Sequence, residues 1–347
     1  MSFNLDNITR ESVKELTPYS SARDEYVSDG SDMVFLDANE NPFENGVNRY
    51  PDPQQRSLKS VLAQQKGIEK DNILLGNGSD EVLDLLFRAF CEPKIDNIIT
   101  LPPTYGIYKV LSSINDIENR EVLLTDEFQP DINAILKGTN SNSKLLFICS
   151  PNNPTGNSIS INNIEKLLNE FKGLVIIDEA YIDFSAQKSW VSKISKYKNL
   201  VIAQTLSKAY GMAGVRLGIC IASKEIISVL NKLKPPYNVN ELTQNRALER
   251  VLNVKKVKSE VTQILSERKR MVKAFSEVSF IAKIFSSEAN FVLVQVDDAA
   301  LRYRQLLDKG IVVRNRSTQP LCKNTLRFTI GTALENDRLL EVLKTLK

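Results

Sequence analysis

Five short runs constrain this chain most: 97–101 (NIITL), 144–150 (KLLFICS), 173–178 (GLVIID), 199–204 (NLVIAQ) and 217–222 (LGICIA). They are apolar at nearly every position and do not alternate. Strands buried on both faces read this way, and such strands belong to parallel sheets covered by helices. Helical patterns lie between them. Residues 79–90 carry Leu83, Leu86, Phe87 and Phe90, and residues 161–171 carry Ile164, Leu167, Leu168 and Phe171, at helical spacing. Strands alternating with helices predict an α/β domain around a largely parallel sheet. The pattern changes at Lys234-Pro235-Pro236-Tyr237, where the double proline breaks the chain. A long charged helix is expected over 240–275. Strands follow at 289–296, 310–314 and 325–331, with helices at 299–309 and 335–346. The expected organisation is an N-terminal arm (1–30), a large α/β domain (31–236) and a small α+β domain (237–347), without internal repeats.

Composition narrows the function classes. Lys+Arg is 45 and Asp+Glu is 42, a net charge of +3, too balanced to argue for nucleic acid or an acidic membrane surface. The basic clusters at 255–258 and 268–270 are interspersed with Glu260 and Glu267, as on a solvated helix face. No apolar run approaches the roughly 18 residues of a membrane span. The polar N-terminus lacks a signal core, which predicts a cytoplasmic protein. Cys91, Cys149, Cys220 and Cys322 lie far apart with no CxxC pair, so neither a zinc ribbon nor a redox motif is suggested. The chain has no histidine at all. That removes Ser-His-Asp and Cys-His machinery and every histidine-bearing metal site, and no metal is expected. Proton transfer falls to carboxylates, tyrosine, cysteine or lysine.

Four segments carry candidate chemistry. In 75–90 (LGNGSDEVLDLLFRAF), Gly76 and Gly78 precede a helix start at Ser79 and Asp80. Free N–H groups there suit a phosphate, though an ordinary capped turn reads the same way. In 173–181 (GLVIIDEAY), Asp178 stands where a buried strand ends, and ligands of open α/β sheets bind outside such ends. It reads equally as a carboxylate capping the next turn. In 149–156 (CSPNNPTG), prolines and a glycine shape a loop that offers Asn152 and Asn153. In 205–218 (TLSKAYGMAGVRLG), Lys208 stands among small apolar residues with Arg216 beyond it. A desolvated lysine exposes a nucleophilic amine, and an arginine holds phosphate bidentately; two solvated surface cations are the plain alternative. A phosphorylated aldehyde cofactor with a pyridine ring needs a lysine, a carboxylate for the ring nitrogen, donors to the ring oxygen and a phosphate cup. Lys208, Asp178, Asn153 and Arg216 are candidates for each need.

With these residues in place, the chain resembles the fold-type I pyridoxal-phosphate aminotransferases of the class II branch, and among them the histidinol-phosphate aminotransferases. The resemblance runs almost end to end, through LTPYSSARDEY (16–26), FLDANENP (35–42), RYPDP (49–53), LGNGSDE (75–81), PPTYGIY (102–108), CSPNNPTG, VIIDEAYIDF (175–184), TLSKAYGMAGVRLG, PPYNVN (235–240), SEANFVLV (287–294), GIVVRNRS (310–317) and LRFTIGT (326–332). It departs at no motif position expected to carry chemistry. The resemblance implies the PLP-dependent transferase fold and pyridoxal 5'-phosphate as cofactor. It implies that Lys208 holds the cofactor and then shuttles a proton, while Asp178 pairs with the pyridinium nitrogen. Asn153 and Tyr181 would bond the ring oxygen, with Tyr105 stacked on the ring. Gly78, Ser79 and Asp80 would cup the phosphate, with Thr205 or Ser207 and Arg216. Tyr50 would reach the partner subunit's phosphate, making a homodimer with shared active sites. Arg314 and Arg327 would clamp substrate, with Tyr19 and Asn39 as weaker substrate-binding candidates. The implied reaction interconverts L-histidinol phosphate and 2-oxoglutarate with imidazole-acetol phosphate and L-glutamate, in L-histidine biosynthesis. An aromatic amino acid aminotransferase and threonine-phosphate decarboxylase share the cofactor motifs and are the alternatives. A regulator that keeps the fold for partner binding is a third reading, but it would need a fused domain for which 347 residues leave no room.

Overall fold

The computed structural model describes residues 3–18 and 33–346. The five apolar runs form the middle of a seven-stranded sheet. In chain order its strands are β1 (Ile73–Asn77), β2 (Asn97–Thr100), β3 (Glu118–Glu121), β4 (Ser143–Cys149), β5 (Leu174–Asp178), β6 (Leu200–Thr205) and β7 (Leu217–Ala222). The spatial order is β1-β7-β6-β5-β4-β2-β3. The pairs among β6, β5, β4, β2 and β3 are parallel, whereas β7 runs antiparallel to both its neighbours, β6 and β1. Every residue of β5, β6 and β7 is buried. The strands divide two apolar layers, one built on Leu146, Ile148, Val175, Ile177 and Ile202, the other on Leu145, Phe147, Ile176 and Val201. This alternation explains the unbroken hydropathy: each face has its own helices to cover.

A second, antiparallel sheet contains β8 (Ile281–Ile284), β9 (Phe291–Val296), β10 (Arg314–Asn315) and β11 (Thr325–Thr329), in the order β10-β11-β9-β8. Its own core gathers Met271, Phe275, Val292, Val294, Leu326 and Phe328. Among the described residues no helix is long and apolar enough to cross a membrane.

Three expectations change. The helix expected over 240–275 is two, Glu241–Leu252 and Val254–Phe275, because Asn253 leaves helical geometry and its side chain accepts from the Lys256 N–H. Residues 310–314 are not a strand; only Arg314 and Asn315 pair, while Val312 is 75% exposed. Val239, Ala247 and Val251, assigned by the sequence to the small domain, pack in the larger sheet's core instead.

Candidate active site

The carboxyl ends of β4, β5 and β6 open on one edge of the large sheet. Since β7 runs the other way, its amino end meets that edge too. The segment between β6 and β7 therefore leaves and returns at the same place, carrying Lys208 and Arg216. The arginines of the small sheet close the other side. Together they bound a cavity of about 320 Å³. Lys208, Asp178, Tyr181, Ser79, Asp80, Tyr105, Asn153, Thr205, Ser207, Arg216, Arg314 and Arg327 all line it.

At its floor, Gly78 takes φ +84 and begins helix Ser79–Phe90 without a side-chain cap, so the first N–H groups of the helix stay available. A Cβ at Gly78 would lie 2.5 Å from the Arg216 guanidinium. A Cβ on Gly218 would lie 2.3 Å from the Gly78–Ser79 backbone, so both glycines serve close approach. Arg216 itself adopts φ 57, ψ 59 and stands 3.6 Å from Asp80. The small residues around Lys208 behave unequally: Gly211 needs its positive φ, but a Cβ on Gly214 would meet nothing, so close passage does not explain that glycine.

Asp178 ends β5 and is 3% exposed. Its Oδ2 accepts from the Tyr108 hydroxyl at 2.7 Å, and its Oδ1 from the Ala180 N–H at 3.1 Å. Burial still pushes its carboxyl above the usual range despite these bonds. Strand alternation turns Glu179 the opposite way, into a buried network: its Oε2 accepts from Ser189 and Gln204, and Gln204 Oε1 accepts from Lys66. Only Asp178 of the Asp-Glu pair faces the cavity.

The Lys208 side chain is accessible from the cavity, with Nζ 5.6 Å from the centre of the Tyr181 ring. The walls nonetheless crowd the amine. Desolvation, then the Arg327 charge, lower its pKa, against the pull of Asp178 and Asp80. Desolvation and Asp80 push the Tyr105 phenol up to about 12. Arg327 Nη1 donates to Asn153 Oδ1, leaving the Asn153 NH₂ for another acceptor. Desolvation, then the repulsion of Arg316, lower the Arg327 guanidinium to about 10.

Two expected site residues lie elsewhere. Tyr50 stacks on Tyr237 at 4.4 Å, and with Asn39 it lines a separate recess beside Asn240 and Leu242. Neither borders the Lys208 cavity of its own chain. Tyr19 lies outside the described residues. Sequence reasoning also missed three groups. Cys149, read only as core, borders the cavity, as does Arg316. Tyr108 is fully buried behind the site and reaches it only through Asp178.

Tyr108 makes a testable positioning residue. Its bond lowers the carboxyl's pKa, so Tyr108→Phe raises that pKa further above the unfolded value. Over that window the folded state binds more protons than the unfolded state, so stability falls as pH rises. The Phe variant of the cofactor-free protein is expected to lose about 1.5–3 kcal/mol near pH 8 and less near pH 5. Denaturant melts at both pH values measure this; an equal loss at both would mean Tyr108 acts by packing alone.

This two-sided cavity on a seven-stranded sheet is the architecture of the pyridoxal-phosphate aminotransferases. The chain belongs to the family described as aminotransferase class I and II, whose model matches residues 33–343. Within that family it is similar to a histidinol-phosphate aminotransferase of Flavobacterium johnsoniae, 62% identical over 345 residues and 99% of each chain. The structure resembles the histidinol-phosphate aminotransferase from Clostridium acetobutylicum (TM-score 0.79, 27% identity, covering 86% of this chain and 90% of that one). It shares its fold with the enzyme of the same name from Sinorhizobium meliloti, solved in complex with pyridoxal-5'-phosphate (TM-score 0.77, 23% identity, covering 86% and 84%).

Proposed function

We propose that the chain is a pyridoxal 5'-phosphate-dependent aminotransferase that moves an amino group between L-histidinol phosphate and 2-oxoglutarate. The observation that carries this reading is one cavity in which an amine, a buried carboxylate and a row of guanidiniums converge. The residues suit the cofactor. Five cationic side chains but only two carboxylates, Asp80 and Asp178, line the cavity. Without a Cβ at Gly78 the Arg216 guanidinium can sit beside the helix start, an arrangement that suits a phosphate. When bound, pyridoxal 5'-phosphate supplies an aldehyde for an amine and a ring that withdraws electrons from the substrate Cα.

The positions of these residues suit the following roles. Lys208 Nζ would hold the cofactor and, when free of it, would take the proton from the substrate Cα. Its lowered pKa keeps a larger share of the amine neutral for that task. Asp178, held by Tyr108 and Ala180, keeps a proton on the ring nitrogen. Asn153 and Tyr181 would donate to the ring oxygen, and Tyr105 would pack against the ring. Gly78, Ser79, Asp80, Thr205, Ser207 and Arg216 cup the phosphate. Arg314 and Arg327 clamp the substrate anions.

The reading includes a homodimer. Val34, Leu36, Phe43 and Leu242 are 81%, 89%, 79% and 67% exposed, large apolar side chains of the kind a second copy would cover. Tyr50, outside its own cavity, then serves the partner's phosphate. A preparation that sediments as a monomer and is fully active would remove this part. Four buried free thiols suit a cytoplasmic setting.

The central test is kcat/KM with 2-oxoglutarate as acceptor. Histidinol phosphate should exceed phenylalanine and tyrosine by about 100-fold or more. Preference for an aromatic amino acid, or carbon dioxide released from threonine phosphate, would replace the substrate assignment and leave the cofactor roles intact.

A further inference from the structure

We infer that Arg316 is a specificity-determining residue, a third guanidinium that makes this cavity select substrates carrying two negative charges. The inference rests on the reading of the cavity as an aminotransferase site.

Register places the three arginines together. Arg314 lies directly opposite Arg327 across β10 and β11. Two residues on, the Arg316 N–H donates to Thr325 O at 2.9 Å, so the pairing continues past the strand's last residue. Side chains two apart on one strand share a face, as do directly opposed residues. Arg314, Arg316 and Arg327 accordingly all border the cavity.

The cluster is electrostatically incomplete. Like charges opposite one another repel. Among the described residues, no carboxylate forms an ion pair with any of the three. Arg316 Nε and Arg327 Nε, both on arginines that line the cavity, are buried without a hydrogen-bond partner. Buried donors are rarely left this way, and two on neighbouring cavity arginines point to an acceptor between them. Desolvation and then the Arg314 charge lower the Arg316 pKa, the cost expected of a cation kept here without an anion. The cofactor's phosphate does not complete the cluster, because its cup lies at Gly78, Ser79 and Arg216.

Two guanidiniums match a single carboxylate. Both proposed substrates carry more: a phosphate dianion on one, and two carboxylates at opposite ends of a five-carbon chain on the other. The carboxylates of glutamate are too far apart for one fork to hold both. Arg316 supplies the further contact, to the distal carboxylate in one half-reaction and to an additional phosphate oxygen in the other.

The test titrates the holoenzyme calorimetrically with glutarate and with pentanoate, unreactive di- and monocarboxylates of equal length. Arg316→Gln should weaken glutarate binding about tenfold or more and pentanoate binding less than about twofold. Arg316→Lys keeps a charge without the fork, and should lose glutarate affinity to an intermediate degree. It carries the test if the Gln variant does not fold. Equal loss for both ligands, or an unchanged preference for glutarate, would overturn the inference. The failures are separable: an enzyme that ignores histidinol phosphate yet shows this glutarate selectivity loses the substrate assignment and keeps Arg316.

Discussion

Lys208→Ala is expected to lower kcat by about 10⁴-fold or more, the upper range for removing a positioned proton-transfer group. No neighbour can substitute. The other cavity cations are guanidiniums, which stay protonated, and the chain has no histidine. Tyr105 and Tyr181 are pushed upward in pKa, the wrong direction for a base at neutral pH. The proposed phosphate cup at Gly78, Ser79 and Arg216 is untouched, so the variant should still bind the cofactor noncovalently. Borohydride reduction followed by mass spectrometry should find the cofactor fixed to the wild-type chain and absent from the variant. A variant that keeps both the reducible link and its turnover would transfer the role from Lys208 to another amine.

Asp178→Asn separates activity from stability. The amide keeps the carboxylate's shape, and its oxygen can still accept from one donor. The negative charge is lost, and with it the proton that the ring nitrogen would hold. Turnover should fall about 10³-fold, comparable to the loss of a preorganised electrostatic group. The cofactor-free protein should be as stable as the wild type or more so, because a desolvated carboxylate with a raised pKa is removed. The change in denaturant midpoint, measured beside kcat, decides the matter. Equal falls in both would make Asp178 a structural residue, and turnover within about tenfold of the wild type would deny the pairing.

How legible the molecule was in its sequence varied with the range of the interaction. Helix Ser79–Phe90 was readable to the residue because its apolar spacing is local, and Leu217–Ala222 because burial on both faces leaves no polar position. The break at Asn253 has neither proline nor glycine; only its capping bond to Lys256 reveals it. Residues 311–313 look like a strand, but no neighbour pairs with them. The cavity was legible residue by residue where motifs marked it. Tyr108 stood inside a motif and still had no visible role, because its bond to Asp178 spans 70 positions. Arg316 carries a usable signal, the two-residue period shared with Arg314, but only the register opposite Thr325 shows that it joins Arg314 and Arg327.

The reversed strand β7 has a consequence for how the site comes together. The Lys208 segment is in effect a hairpin loop, closed at its base where Thr205 contacts Leu217, 12 positions away. The contact between Arg327 and Asn153 joins positions 174 apart. Closing that longer loop costs about 2 kcal/mol more in chain entropy, and contacts distant in sequence form later than local ones. Lys208 and Arg216 are thus brought together at little entropic cost, whereas the meeting of Arg216 with Gly78 closes a long loop of its own. The proposed substrate clamp depends on the small sheet meeting the large one through Arg327 and Asn153, so loosening that contact is expected to cost substrate recognition before it costs the cofactor.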